Sequence, residues 1–373
     1  MQAAPIKGRG SLSNEASRFQ AYTRHAVSDD WAWVGPEPES AQPHHTLKDS
    51  AAFLSVPPRP ATTVTPETAR SIISRNTSPD IPFDQSVNAY RGCEHGCVYC
   101  YARPSHAYLD LSPGMDFETR LYAKHNAAEI LRNELSRRGY RPKLIAMGTN
   151  TDPYQPIEKR LRITAGLLDV FDEFNHPVSI TTKSALVTRD IAVLARLARR
   201  NLVRVFFSVA TLDRDLTRRM EPRASTPAAR LDAMRTLKEA GIPVGVLIAP
   251  VIPGLTDHDL ERVAIAASQA GAVDAAYVLL RLPREVAGLF QEWLGAHYPM
   301  KAEHVMKLLR AMRGGKDYDS DYRMRMGGSG VYANMLRRRF ERICTRTGLN
   351  RSRTELDVSA FRPPAQPGQL GLF

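Results

Sequence analysis

Between residues 86 and 300 the chain alternates short, continuous apolar runs with longer stretches whose apolar positions recur every three or four residues. The runs Ser86–Tyr90, Lys143–Met147, Val178–Lys183, Val203–Val209, Val244–Ala249 and Ala275–Leu280 read as strands. Strands that are apolar throughout, rather than at every second position, are buried on both faces and belong to a parallel sheet. The intervening segments predict helices over 126–138, through Leu167, Leu168, Val170 and Phe171, over 190–200, over 226–240, from a cap at Asp257 to Ala270, and over 285–293. Six such β/α units predict an α/β fold, a partial (β/α)6 TIM-like barrel whose active site lies at the C-terminal ends of the strands. An open doubly wound sheet is the alternative, but no Gly-x-Gly-x-x-Gly follows the first strand to make a dinucleotide site.

The flanks have a different character. Residues 1–62 form an extended Pro-rich arm, in which Trp31, Trp33 and Phe53 are large enough to predict docking on the body, and residues 63–300 hold the β/α units. A helical, basic extension covers 301–373. It contains helices over 302–312 and 332–345 and a Pro- and Gly-rich tail from 363. In the second helix Arg337, Arg338, Arg339 and Arg342 either face phosphate or form a solvated surface over inward-facing Leu336, Phe340 and Ile343. The 373 residues carry 51 Lys and Arg against 39 Asp and Glu, a formal charge of +12. That favours anionic partners such as nucleic acid, although Arg-rich composition alone also raises the charge. The first residues lack the apolar core of a signal peptide, and no run is long enough to span a bilayer, so a cytoplasmic protein is expected.

Three of the four cysteines, Cys93, Cys97 and Cys100, lie in Arg91-Gly-Cys-Glu-His-Gly-Cys-Val-Tyr-Cys-Tyr101, on the loop after the first strand. Clustered thiols in a reducing compartment point to metal rather than to disulfides. Zinc would need a fourth ligand, His95 or His106, and would give a structural, zinc-stabilised nucleic-acid-binding protein without catalysis. A [4Fe–4S] cluster held by three cysteines would leave one iron open to a ligand that is not protein. Cys344, alone in the basic helix, reads as a buried packing thiol. Glu158 and Arg162 read as helix-face residues.

Cys-x-x-x-Cys-x-x-Cys followed by an aromatic residue, at this place in a β/α series, resembles the signature of the radical S-adenosylmethionine (SAM) superfamily. From about Asn88 to Gly254 the chain is similar to its spore photoproduct lyase-like, or DNA repair photolyase-like, group. The resemblance implies a [4Fe–4S] cluster on Cys93, Cys97 and Cys100 and an open iron that chelates SAM. An electron from a flavodoxin- or ferredoxin-type donor would then generate a 5′-deoxyadenosyl radical that takes hydrogen from the substrate, which could be damaged DNA or another nucleic acid. It also implies cofactor contacts from Tyr101, Thr151, Lys183 and Ser208, with Tyr101 at the reacting centre. Glu221 and Arg223 follow the fourth strand on the same rim and either bind the cofactor's ammonium and carboxylate or pair with each other. In one respect the sequence departs from the group: the lyase's hydrogen-donating cysteine, at the end of the second strand, is matched here by Thr149.

Overall fold

A computed structural model describes residues 5–19, 60–352 and 355–364. Ten strands order themselves into two sheets. In chain order they are β1 (Thr63–Glu67), β2 (Ile73–Arg75), β3 (Gln85–Val87), β4 (Tyr90–Arg91), β5 (Arg120–Lys124), β6 (Ile145–Met147), β7 (Val178–Thr182), β8 (Val203–Ser208), β9 (Val244–Val251) and β10 (Asp274–Leu279). The larger sheet runs β10-β9-β8-β7-β6-β3-β2. Its six strands from β3 to β10 are mutually parallel, and β2 closes the edge antiparallel to β3. Each crossover is made by helix, as parallel neighbours require. This is the partial (β/α)6 barrel that the apolar runs predict.

The register places Ile145 beside Val178, Val178 beside Val203, and Val205 beside Val244. All of these side chains are buried. The helices Ile163–Glu173, Ile191–Arg199, Pro227–Glu239 and Leu260–Gln269 bury Leu167, Leu168, Phe171, Leu194, Leu197, Leu237, Leu260 and Val263 against the sheet. Burying each such side chain stabilises the fold by about 2 kcal/mol, before the entropy of ordering the chain is set against it. Thr226 caps its helix by accepting from the Ala229 N–H at 3.3 Å.

Three local expectations are corrected. The single strand expected over 86–90 is two strands: the chain leaves the main sheet after Val87, and Tyr90–Arg91 pairs antiparallel with β5 in a second, three-stranded sheet with β1. Asp257 does not cap the following helix. It lies in a short 3₁₀ turn, and its carboxylate accepts the Tyr332 hydroxyl. Glu158 is fully buried, not on an exposed helix face. It accepts from the Tyr90 hydroxyl, from Arg189 at 2.8 Å and from the Thr164 N–H at 3.1 Å. Arg162 is exposed, at a left-handed residue between two helices.

The basic helix spans Gly330–Thr347 and buries Leu336, Ile343 and Cys344. Arg339 is fixed by Glu261 at 2.6 and 2.7 Å, while Arg338 and Arg342 are exposed. The expected docking of Trp31, Trp33 and Phe53 and the tail beyond residue 364 lie outside the described residues.

Candidate metal centre and cofactor rim

The C-terminal ends of β3, β6, β7 and β8 meet around the cysteine loop. Asn88, directly after β3, sets the first join. Its carboxamide oxygen accepts from the Asn150 and Thr151 N–H groups at 3.0 and 3.3 Å, and its nitrogen donates to Thr149 Oγ1 at 3.2 Å. Gln155 makes the second by accepting from the Glu94 N–H at 2.8 Å and donating to the Gly92 carbonyl at 3.3 Å. Asp152 makes the third. Its carboxylate accepts from the Lys183 N–H and the Thr182 hydroxyl, both at 2.7 Å, and lies 3.3 Å from His95 Nδ1. Burial alone would raise the Asp152 pKa, but His95 and these donors outweigh it and bring it down to about 2.

The loop's backbone path depends on glycine. Gly92 and Gly96 have φ of +76° and +67°, a region that costs an L side chain energy. A Cβ on Gly96 would stand 2.8 Å from a Glu118 carboxylate oxygen. Behind the loop Arg103, fully buried, donates to the Cys97 carbonyl at 2.9 Å and to Glu118 at 2.5 Å. Glu118 also accepts from the Gly10 and Ser11 N–H groups at 3.0 and 2.8 Å. The first described segment is thereby strapped over the back of the loop. Gly10 is needed there, since a Cβ on it would fall 1.7 Å from the Gly96 carbonyl oxygen. The segment's Arg-Gly-Ser carries no periodicity, so pattern reading could not place it.

All three loop cysteines are free thiols, Cys93 and Cys97 buried and Cys100 half-buried. Burial, chiefly, pushes the Cys97 thiol up to about 12 and the Cys93 thiol well above its usual range. As bare thiols they are therefore poor nucleophiles, and a cation is needed to hold them as thiolates. Lys183 supplies part of that field. Burial opposes its charge, yet Cys97, Glu221 and Asp152 outweigh the burial and keep its pKa above the usual lysine value.

The donor set suits a metal–sulfur cluster: three unpaired soft ligands on one loop, with a lysine beside them. Among the described residues no three His, Cys, Asp or Glu side chains converge on a point where a single metal ion could sit. The two histidines considered as a fourth ligand have other partners. His95 faces Asp152, and His106 donates from Nε2 to the Arg120 carbonyl at 2.9 Å.

Tyr101 is 45% exposed, and its hydroxyl donates to the Thr149 carbonyl. Thr151 is buried and donates to the Tyr90 carbonyl at 3.3 Å, and Ser208 donates to the Ala249 carbonyl at 3.1 Å. Each hydroxyl oxygen keeps lone pairs that can accept from a ligand. Glu221 and Arg223 do not pair with each other. Arg223 lies 3.0 Å from Glu94. Glu221 is buried between Arg230 and the Tyr99 hydroxyl, and Arg230 donates onward to the Ser208 and Ser225 carbonyls at 2.6 and 2.9 Å. Arg230, Arg103, Gln155 and Asn88 are the supporting residues that sequence reasoning missed. Only Asn88, a polar residue inside the run Ser86–Tyr90, carried a signal.

A parallel α/β sheet with a three-thiol loop at the C-terminal end of its first parallel strand is the frame of a radical SAM enzyme. The radical SAM superfamily model matches residues 87–266. A Mycobacterium tuberculosis protein, the uncharacterized Rv2578c, is 39% identical over 232 residues, covering 62% of this chain and 68% of the relative. The chain belongs to the radical SAM superfamily and is an enzyme of that type. The uncharacterized Methanocaldococcus jannaschii protein MJ0683 is 30% identical over 171 residues, 46% of this chain and 61% of its own length. Among solved structures, a spore photoproduct lyase mutant with bound AdoMet and dinucleoside spore photoproduct aligns with a TM-score of 0.51 at 15% identity, covering 77% of this chain and 80% of that one. That likeness is one of fold. Among the described residues no helix is long and apolar enough to cross a membrane.

Proposed function

We propose that Cys93, Cys97 and Cys100 hold a [4Fe–4S] cluster, that the iron without a protein thiolate binds S-adenosylmethionine, and that the enzyme removes a hydrogen atom from a nucleic-acid substrate. The observation that carries this is the set of three free thiols on one strand-end loop, beside Lys183 and with no fourth cysteine among the described residues within the loop. When bound, the cluster supplies the electron that cleaves the cofactor's sulfonium.

The protein's own groups bind and orient. Lys183 offers the cation for the cofactor's carboxylate. Tyr101, Thr151 and Ser208 offer an aromatic face and hydroxyl oxygens along the rim. Glu221, held by Arg230, acts on Tyr99 and so positions the loop, and Arg223 does the same through Glu94. Thr149 replaces the thiol that a spore photoproduct lyase would use to return hydrogen, and an O–H bond is a much poorer hydrogen-atom donor than S–H. The substrate is therefore proposed to differ from the thymine photoproduct, or the hydrogen to return by another route.

Structural neighbours solved with a dinucleoside spore photoproduct, together with the +12 charge, favour nucleic acid as the substrate class. The test is 5′-deoxyadenosine formation by reduced, reconstituted enzyme with undamaged DNA, ultraviolet-irradiated DNA or RNA. Stimulation of cofactor cleavage by one of these supports the assignment, and equal rates with and without every nucleic acid would sink it.

A further inference from the structure

Two arginines that meet at the end of β10, Arg281 and Arg313, form no ion pair with a carboxylate among the described residues, and each has a buried Nε without a hydrogen-bond partner. Arg281 lies two residues past the strand's last residue, on the same C-terminal rim as the cysteine loop. Its guanidinium lies 4.8 Å from the centre of the Tyr101 ring. It donates to the Tyr318 hydroxyl at 3.3 Å and approaches Met326 Sδ at 3.9 Å, and its buried Nε has no partner. Arg313 is fully buried. It donates to the Met324 and Leu280 carbonyls at 2.6 and 3.0 Å, and its Nε is likewise unpartnered.

The contrast with Arg103, Arg189 and Arg230 is plain, because each of those holds a carboxylate. Neither Arg281 nor Arg313 forms an ion pair with any described carboxylate. The two cations lie close enough to repel: after burial, which is the main cause, Arg281 helps to lower the Arg313 pKa to about 10, with Tyr318 and Asp319 opposing. Burying one guanidinium and half-burying another beside it, with Asp319 acting only from a distance and no carboxylate in ion-pair contact, is unfavourable unless an anion completes the site. The nearby Arg325, by comparison, is neutralised by Asp80. Its pairing ties the 316–329 segment to the loop before β3.

We propose that Arg281, supported from behind by Arg313 and Tyr318, binds a phosphate ester of the substrate next to the cofactor rim. The planar fork of arginine suits two phosphate oxygens, and the Tyr101 ring beneath the Arg281 guanidinium holds that fork in place. The inference deepens the nucleic-acid reading and rests on it for the substrate's identity. The binding test needs no turnover, so failure of the phosphate site and failure of the radical chemistry are separately visible.

The experiment measures fluorescence anisotropy of a labelled single-stranded oligonucleotide on the full chain across a salt series, for wild type, Arg281→Gln and Arg281→Lys. Circular dichroism melts confirm that the variants fold. Arg281→Gln is expected to weaken binding about tenfold and to reduce the salt slope by about one, with Arg281→Lys recovering the slope but not all of the affinity. Unlabelled mononucleotide and inorganic phosphate, added as competitors, separate a phosphodiester from a free phosphate source. Competition by either that depends on Arg281 keeps the site and identifies the source. Two results would overturn the proposal. One is an unchanged affinity and slope in Arg281→Gln. The other is a selective loss of S-adenosylmethionine affinity, which would assign Arg281 to the cofactor's carboxylate.

Discussion

Replacing Arg230 by Met removes one member of a fully buried ion pair and leaves Glu221 with the Tyr99 hydroxyl as its remaining side-chain donor. Breaking such a pair from one side costs about 3–5 kcal/mol, because a buried charge loses its hydrogen-bonded counter-ion, and the field of Lys183 offsets only part of that. The Ser208 and Ser225 carbonyls lose their donor as well. For a chain of this size that cost is a fall on the order of 10 °C in Tm. The assay is a thermal melt of the metal-free protein by far-ultraviolet circular dichroism, which keeps the result independent of cluster loading. Glu221→Gln/Arg230→Met removes both charges and is expected to melt well above the sum of the single losses, with a coupling of about 2 kcal/mol or more. In reconstituted protein Arg230→Met should also loosen the cysteine loop through Tyr99 and reduce iron retention. Additive single and double variants would refute the claim that Glu221 and Arg230 act as one unit behind the loop.

Other outcomes follow from the same contacts. Gly10→Val should displace the strap that lies on Gly96, and limited proteolysis should then cut the first twenty or so residues faster than in wild type. Cys344→Ala should leave iron content unchanged, since this thiol is buried in the C-terminal helix, where its sulfur accepts from Asn350 Nδ2 at 3.8 Å. Burial, the main cause, lowers both His106 and His176 to about 4. Because their folded pKa values are depressed, the stability they contribute is complete above about pH 6.5 and is lost as pH falls toward 4, up to about 3 kcal/mol for each. Histidine proton shifts followed by NMR should show both titrating near 4, and ordinary midpoints near 6.5 would contradict the buried neutral assignment.

The parallel sheet was legible because buried strands write continuous apolar runs, and β6 through β10 fall within a few residues of the runs that predict them. β5 was legible in principle, since Leu121 and Ala123 are buried and alternate with Arg120, Tyr122 and Lys124. Its five residues were too few to stand out beside a helix. The cysteine loop could be read because its chemistry is local in sequence. Its support could not: Glu221 and Arg230, Arg103 and Glu118, and Asp152 and His95 meet only through tertiary packing, and pairing over such distances leaves no periodic trace. The Glu221–Arg223 pair, one of the two readings of those residues, shows the error this invites, for proximity in sequence suggested a partner that the fold supplies from the next helix instead. Arg281 and Arg313, which form no ion pair with a described carboxylate, were invisible for the same reason, since a missing carboxylate can be recognised only once the neighbours are in place.

The proposed cluster, held by three thiolates with one iron left open to S-adenosylmethionine, can be tested on the purified protein. Its most direct measurement is anaerobic reconstitution of wild type and Cys97→Ala with iron and sulfide, followed by reduction with the cofactor present and chromatography for 5′-deoxyadenosine. Wild-type protein is expected to be brown, to carry about four irons per chain and to form 5′-deoxyadenosine, and Cys97→Ala is expected to do neither. A colourless wild-type protein that retains zinc and leaves the cofactor intact, or a Cys97→Ala protein that cleaves it at the wild-type rate, would contradict the proposed cluster.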